Sequence, residues 1–370
     1  MSNFVIVSLL PKKIDKPSYL MCGFLVLFIY IPFSIIIFRT NEQWVNFEEG
    51  FILWCFVFVG VFLVTLSLHV RRINVAFPRK IKSTYVIYLT AIITVYYIVL
   101  TASNFTLVGI DKLTELNDVR SSSKVTGFSA YVYLWLISIL LPYSIGVLFF
   151  NKKILFGMLF AFVYVYFSFS MGAKILLVAP ITFFGLFIWF KKFNSDLRCL
   201  FWGVSCFIVF LYVFGIFSPE TSYFMKALFF FRTISIPSLA FSIYYDYFNT
   251  NHLTYFTHIG IVADIFATKS QIALPVALHN WYGLGNFNAN FLVNDGYASL
   301  GHVGIIIMAM VYALLIYILD ICSCKKDSTV CLFSLVYIIM FQANISLFTL
   351  MVSHGLFMLP LLYLFVNDDF

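Results

Sequence analysis

The residues best suited to chemistry lie between positions 218 and 302, where charged side chains are scarce. Arg232 stands in the run Ala-Leu-Phe-Phe-Phe-Arg-Thr-Ile-Ser-Ile-Pro. An arginine among phenylalanines costs about 2.5–3.5 kcal/mol at a bilayer centre unless it meets an anion. Lys174, in the turn Ser-Met-Gly-Ala-Lys before another apolar run, is a second cation outside the basic connectors. The two side chains predict a site that holds an anion, and the alternatives are a lysine that snorkels to the interface and an arginine satisfied by carbonyl groups.

Carboxylates and imidazoles in the same stretch are candidates to accept a proton from a substrate hydroxyl group. Asp295 lies in an Asn-Asp-Gly turn just before the next apolar run, and His302 follows it within that run. These two are the leading candidates, although Asn-Asp-Gly is also an ordinary turn sequence. The other candidates are Asp246, Asp264, His252, His258 and His279.

Aromatic and amide side chains accompany these groups. Such side chains suit sugar rings, because they combine apolar faces with hydrogen-bond donors and acceptors. Tyr and Trp also mark membrane interfaces, which is the structural alternative. The predicted substrate-binding residues, besides Lys174, are Tyr245, Asp246, His279, Trp281, Tyr282 and Asn288.

Metal-ligand patterns do not occur in this stretch of the sequence. It contains no Asp-x-Asp or Glu-x-Asp pair and no cluster of histidines, and Gly-rich phosphate loops are missing from the whole chain. A transferase that holds a phosphate through a divalent ion needs such ligands. The sequence therefore predicts a site without a metal or other cofactor.

The elements that must position these residues are membrane helices. The chain is 62% hydrophobic and only 11% charged, which excludes an ordinary soluble domain. Runs long enough to cross the bilayer recur, and with residues 227–245 and 258–278 they allow about 10–12 transmembrane helices. The predicted spans are 19–38, 51–69, 84–103, 128–150, 154–171, 175–190, 199–217, 301–320, 329–348 and 351–366.

The connectors between the spans predict an orientation. Most Lys and Arg residues fall in alternate connectors, which places both termini in the cytoplasm. The net charge of +7 is thus an orientation signal, and nucleic acid is not an expected partner. The opposite connectors carry the acidic residues Glu42, Glu48, Glu49, Asp111, Glu115 and Asp118.

This orientation divides the chain into three parts. Residues 1–217 form about seven N-terminal spans, and residues 301–370 form about three C-terminal spans. Residues 218–300 form one long outer segment, in which Pro237 favours a kinked or re-entrant helix.

Three stretches of the chain resemble the Wzy-type O-antigen polymerases, which join oligosaccharide repeat units. The turn Met171-Gly172-Ala173-Lys174 is similar to a Gly-Ser-Arg-like turn of that family, with lysine in place of arginine. Residues 231–237 and 244–248 resemble its arginine-bearing outer segment. Residues 295–304 resemble the small-residue start of its following span.

The resemblance implies a C-type glycosyltransferase architecture in a bacterial inner membrane, with the active site facing the periplasm. The expected substrate is an undecaprenyl-pyrophosphate-linked oligosaccharide, whose chain moves to the non-reducing end of a new lipid-linked unit. Arg232 and Lys174 would hold the departing pyrophosphate, and Asp295 or His302 would accept the proton. A membrane protein that regulates chain length is a further expected partner.

Three alternatives remain open from the sequence. A ligase would use the same donor and transfer the glycan to a lipid A core sugar. A flippase for the same lipid-linked units would have short loops on both sides and charged residues along a central path. A membrane acyltransferase would place its histidine near the cytoplasmic face, where His69 is the only one.

Overall fold

All regular elements in the described part of the chain are helices. The computed structural model describes residues 2–38, 44–71, 73, 81–107, 119, 125–199, 202–203, 206, 209–210, 213, 216, 234–259, 263, 273–283 and 288–368. Within these ranges, β-type pairing is limited to two isolated bridges, Lys13–Asp196 and Ile81–Val366. The prediction of an all-α polytopic membrane protein is confirmed at this level.

Seven described helices are long and apolar enough to cross a membrane. They are α2 (Pro17–Ile36), α3 (Phe47–Ser67), α4 (Ser83–Asn104), α5 (Phe128–Phe150), α6 (Ile154–Met171), α7 (Leu176–Phe193) and α10 (Leu292–Ser323). The shorter helices are α1 (Ser2–Leu9), α8 (Ile236–Thr250), α9 (Leu274–Tyr282), α11 (Ser328–Ser334), α12 (Val336–Phe341), α13 (Leu347–Val352) and α14 (Met358–Phe365). Helix α5 is the most enclosed of the long helices, since 83% of an 18-residue apolar stretch of α5 is buried, against 33% for α4.

Local sequence signals explain several helix boundaries and distortions. Helix α3 begins at a capping box, in which the Asn46 side chain accepts the Glu49 amide at 2.9 Å and the Glu49 carboxylate accepts the Asn46 amide at 3.4 Å. In α2 and α5, a π-helical turn comes directly before the turn that contains Pro32 or Pro142. Proline has no amide hydrogen, so the regular ladder is already interrupted there.

Helix α10 is broken near its start. Leu300 and Gly301 have non-helical backbone angles, with Gly301 at φ +61°. The break separates α10a, residues 292–299, from α10b, residues 302–323. The two parts fold back on each other, because a Cβ atom at Gly296 would lie 3.1 Å from the carbonyl oxygen of Gly304. The start predicted for this span, residue 301, is therefore the tip of a helical hairpin, and the Asn-Asp-Gly sequence is π-helix and not a turn.

The last two predicted spans are also corrected. Residues 329–348 and 351–366 do not form two continuous helices; they form the four helices α11 to α14. Two of the three interruptions fall at polar sequence, in the turn at 342–346 and at Ser353-His354-Gly355, where Gly355 has φ +74°, and the third is at the apolar Leu335. Buried side-chain bonds join this turn to other helices, since Gln342 donates to the Met21 carbonyl at 3.2 Å and accepts from the Tyr312 hydroxyl at 2.7 Å.

Basic connectors gather at one end of the helices, here called the basic end. The Leu197 amide donates to the Lys12 carbonyl at 2.9 Å, and the Ile81 amide donates to the Phe365 carbonyl at 3.1 Å. The Tyr317 hydroxyl donates to the Arg71 carbonyl at 3.3 Å. Helices α2, α4, α6 and α11 begin at this end, whereas α3, α5, α7 and α10b run toward it.

The predicted outer segment and the seventh predicted span are only partly described. Residues 217–233, most of 199–217 and most of 258–278 lie outside the described residues. The division at residues 217 and 300, and whether 227–245 and 258–278 cross the membrane, stay predictions.

The basic end is closed by a buried ion pair that involves the C-terminal residues. Lys326 is completely buried and contacts the Asp368 carboxylate, the Val366 carbonyl oxygen and the Tyr143 hydroxyl. Asp368 also accepts the Asp327 amide at 2.8 Å, and its carbonyl accepts the Asn151 side chain at 2.9 Å. One cation thus joins the α10–α11 connector to the C-terminus and to α5.

Replacement of Lys326 by methionine should destabilise the protein by about 3–5 kcal/mol, because it leaves a buried carboxylate without its cation. Thermal unfolding of the purified protein in detergent measures the effect. Lys325→Met, at the exposed neighbouring position, should change stability by less than about 0.5 kcal/mol. The double variant Lys326→Met with Asp368→Leu should regain much of the loss, and equal unfolding temperatures for Lys326→Met and wild type would exclude this role.

Candidate functional site

Helix α8 lies inside the bundle and carries residues toward three separate polar groups. Its first turn meets the start of α10, since the buried Asn290 side chain donates to the Pro237 carbonyl at 3.3 Å. Its middle packs on α2, where the rings of Phe241 and Phe33 are 4.2 Å apart. Nine of the 15 residues of α8 are buried, whereas Asn249 and Thr250 at its C-terminal end are exposed.

The loop that follows α8, residues 251–259, is fixed over the α10 break. Thr254 and Tyr255 donate their amides to the carbonyls of Ala298 and Ser299 at 2.8 and 3.2 Å. Tyr255 and Phe256 have φ values of +50° and +66°, which large side chains rarely adopt. Two consecutive strained residues indicate that contacts with α10a hold the loop in one conformation, an arrangement typical of functional sites.

Asp295 and His258 form a buried acid–base pair beneath this loop. The Asp295 side chain is fully buried, and its Oδ2 atom accepts the Leu347 amide at 2.6 Å. Its Oδ1 atom faces Nε2 of His258 at 3.9 Å, and neither atom has a hydrogen-bond partner among the described residues. An ionisable side chain buried at a break in a membrane helix is a functional-site candidate.

The other ring nitrogen of His258 extends this pair to a hydroxyl group. Nδ1 of His258 is 2.7 Å from Oγ1 of Thr254, which is also 3.0 Å from the Ala298 carbonyl oxygen. If the hydroxyl donates to Ala298, Nδ1 carries the imidazole proton and Nε2 can take another. If it donates to His258, Nε2 carries the proton toward Asp295. In both arrangements the imidazole lies between Thr254 and Asp295, with a hydrogen bond to Thr254 and a distance of 3.9 Å to the carboxylate.

His302 stands on the other side of the same break, among aromatic rings. Its ring centroid is 4.9 Å from Phe56, 5.3 Å from Tyr297 and 6.0 Å from Tyr245. His302 is partly exposed, although its Nε2 atom is buried and has no hydrogen-bond partner within the described ranges. Glu49, from the first turn of α3, interacts with the Tyr245 hydroxyl and lies in electrostatic range of Tyr297. The cluster therefore combines an imidazole, a carboxylate and two phenols.

A third polar group joins α8 to α9. Tyr282 donates its hydroxyl to Asp246 at 2.5 Å, and the exposed Trp281 packs edge-on against Tyr247, with centroids 5.7 Å apart. Burial, and then the hydrogen bond to Asp246, raise the pKa of Tyr282 above its usual value. The phenol therefore keeps its proton at neutral pH, and the Trp281 ring is left open to a ligand.

The structure brings together some of the predicted site residues. Asp295 and His302 lie on the two sides of one helix break, Tyr245 contacts His302, and Asp246 binds Tyr282. His279 and Asn288 are exposed. Arg232 lies outside the described residues, as does the side chain of Lys174, so the anion site stays a prediction. In the described part of the chain, no three His, Cys, Asp or Glu side chains are grouped to hold a metal ion.

Sequence reasoning missed Thr254 and Glu49, and it did not single out His258 from the other candidate histidines. His258 carries no local signal beyond its residue type, and Thr254 lies four residues before it in an unremarkable loop. Glu49 counts in the sequence only as an acidic residue of an outer connector and as part of a capping box. Its spacing from Asn46 could have located the start of α3, but not the approach of Tyr245 and Tyr297.

Comparison of the chain with protein families, curated proteins and solved structures gives no match. The fold and the site define its class without a relative. It is a polytopic α-helical membrane protein with a buried acid–base group at a broken helix.

Proposed function

We propose that this protein is a membrane glycosyltransferase that polymerises lipid-linked oligosaccharides. The observation that carries the proposal is the position of two proton acceptors, His302 and the Asp295–His258 pair, on either side of the α10 break. The rings of Tyr245 and Tyr297 lie beside His302. A base beside a substrate hydroxyl group activates it, and the exposed ring of Trp281 is an aromatic face that a sugar ring can reach.

The proposed reaction needs a base and a group that stabilises the leaving pyrophosphate. A hydroxyl of the acceptor sugar attacks the anomeric carbon of the donor chain, a glycosidic bond forms, and the bond from that carbon to the pyrophosphate oxygen breaks. His302 takes the hydroxyl proton. Arg232 and Lys174 are proposed to neutralise the charge on the undecaprenyl pyrophosphate.

The distribution of charge supports an orientation for this site. Lys and Arg residues concentrate at the basic end of the helices. His302 is at the start of α10b, which runs toward the basic end, so His302 lies away from that end. Cytoplasmic connectors are rich in Lys and Arg residues. We therefore place both termini in the cytoplasm of a bacterium and the site on the periplasmic side of the inner membrane, where lipid-linked glycans, and a regulator of their length, would meet it.

A second candidate function is transport of the same lipid-linked units. The observation that favours it is Asp295 itself, a fully buried carboxylate at a discontinuous helix, which is a common arrangement in transporters. A ligase is a third possibility within the first class, and only the acceptor separates it from a polymerase.

An in vitro assay with His302→Gln tests the proposed enzyme. Wild-type protein in liposomes with undecaprenyl-pyrophosphate-linked repeat units should make a ladder of longer glycans on a gel. The rate for His302→Gln should fall about 100-fold or more, because the proton acceptor is lost. His252→Gln, at an exposed position in the same segment, should behave as wild type.

The same assay separates the alternatives. Transfer only to an added lipid A core acceptor would identify a ligase. Movement of labelled units across the bilayer without any joining would identify a transporter and reject the enzyme.

A further inference from the structure

A cavity lies at the basic end, far from the α10 break. Its volume is about 470 Å³, and it forms where the residues after α1 meet the turn after α7. The two segments are joined by backbone hydrogen bonds, from Leu197 to Lys12 at 2.9 Å and from Ile14 to Ser195 at 3.0 Å. Its walls are Val7, Ser8, Leu10, Pro11, Lys12, Leu197, Arg198 and Trp202.

The cavity is cationic. Lys12 and Arg198 line it, and the two segments that form it, residues 10–16 and 191–198, contain six Lys or Arg residues and two Asp residues. The Arg198 amide donates to Oδ1 of Asp196 at 2.8 Å. The Nε atom of the Arg198 guanidinium is 3.7 Å from the same carboxylate oxygen. The Arg198 side chain is 66% exposed, so its remaining guanidinium donors are available to an anion.

The surroundings of the cavity are apolar and lie at the level of the span ends. The spanning helix α2 begins at Pro17, and α7 ends at Phe193. Beside them, α1 exposes Phe4 by 82%, and Trp202 is 71% exposed. Exposed aromatic residues next to Lys and Arg at the ends of membrane spans typically contact the headgroup region of the bilayer.

We propose that this cavity binds the headgroup of an anionic phospholipid in the leaflet at the basic end. The guanidinium of Arg198 and the ammonium of Lys12 hold the lipid phosphate, which a planar fork and a point charge both suit. Val7, Leu10 and Trp202 contact the first part of the acyl chains. Water-soluble phosphate would leave this apolar wall unused, which favours a lipid as the occupant.

Quenching of tryptophan fluorescence tests the site in the full-length protein. The protein is placed in nanodiscs that contain equal amounts of either brominated phosphatidylglycerol or brominated phosphatidylcholine. Quenching should be stronger with phosphatidylglycerol, and Trp202→Phe should remove the difference. In titrations, Lys12→Gln with Arg198→Gln should weaken phosphatidylglycerol binding about 10-fold or more.

A control variant and a competitor decide the interpretation. Lys82→Gln with Lys325→Gln removes two exposed cations elsewhere at the basic end and should leave the preference intact. Equal quenching by both lipids, or the same loss in the control variant, would overturn the proposal. Relief of quenching by millimolar inorganic phosphate would show a site for free anions and would also overturn it.

Discussion

Asp295→Asn should reduce glycan polymerisation by about 100-fold or more, because the Asp295–His258 pair, the second proposed proton acceptor, then loses its negative charge. The change is nearly isosteric, and the Asn carbonyl oxygen can still accept the Leu347 amide that Asp295 now binds at 2.6 Å. The helix contact is thus kept, while the charge that faces His258 at 3.9 Å is removed. Chain length on gels and the amount of protein in the membrane are the two measurements.

A double-variant comparison shows whether the two residues act together. His258→Gln alone should cause a similar loss, and the double variant should be no worse than either single variant, because groups that act as one unit are not additive. Asp15→Asn, at an exposed position of the basic end, serves as the matched control. Polymerisation by Asp295→Asn at more than about one third of the wild-type rate would remove the pair from the mechanism.

Gly304→Ala should prevent the α10 hairpin from closing. A Cβ atom there would lie 2.8 Å from the carbonyl carbon of Gly296, and closer still to its oxygen. Both atoms belong to backbone, so no side chain can move aside. We expect destabilisation by at least about 3 kcal/mol, at the upper end of the range for overpacked sites. Thermal unfolding in detergent and accumulation in the membrane measure this loss.

Gly185→Ala is the matched control for this experiment. Gly185 lies within α7, and a Cβ atom at that position would meet nothing within 4 Å. Alanine should therefore stabilise the helix by about 0.5–1 kcal/mol. If Gly304→Ala instead unfolds at the wild-type temperature, the close approach of α10a to α10b does not exist in the protein.

Gly304→Ala and Asp295→Asn also separate two roles of the α10 hairpin, its packing and its chemistry. The Gly296–Gly304 contact closes the hairpin that carries Asp295 on one arm and His302 at the start of the other. Gly304→Ala should lower stability and activity together. Asp295→Asn should lower activity alone, because the packing of the hairpin does not change.

Much of the architecture could be predicted, because hydropathy over about 20 residues reports directly on the bilayer. Six of the seven long helices agree closely with predicted spans, and the seventh helix, Leu292–Ser323, contains the predicted span 301–320. The break at Leu300–Gly301 and the division of 329–366 into short helices could not be predicted in this way. Hydropathy reports how apolar a segment is and not whether its backbone is one continuous helix.

The site was predicted only in part. A candidate base can be recognised in a sequence by its residue type, whereas the partner of that base is known only from the three-dimensional structure. Asp295 and His302 were identified in a sequence with few charged groups. Their partners are distant along the chain: His258 precedes Asp295 by a segment that includes α9, and Glu49 comes from α3. No spacing rule connects such residues.

By itself, the sequence determined that this is a multi-pass helical membrane protein and which of its connectors are basic. Those properties depend on local composition, since each span exchanges water for lipid independently of the others. Only the tertiary structure decided that α10 folds back at Gly301 and that Asp295 is buried against His258 and the Leu347 amide. Burial of that carboxylate depends on three segments that meet in space, and a carboxylate without those partners would not be stable there.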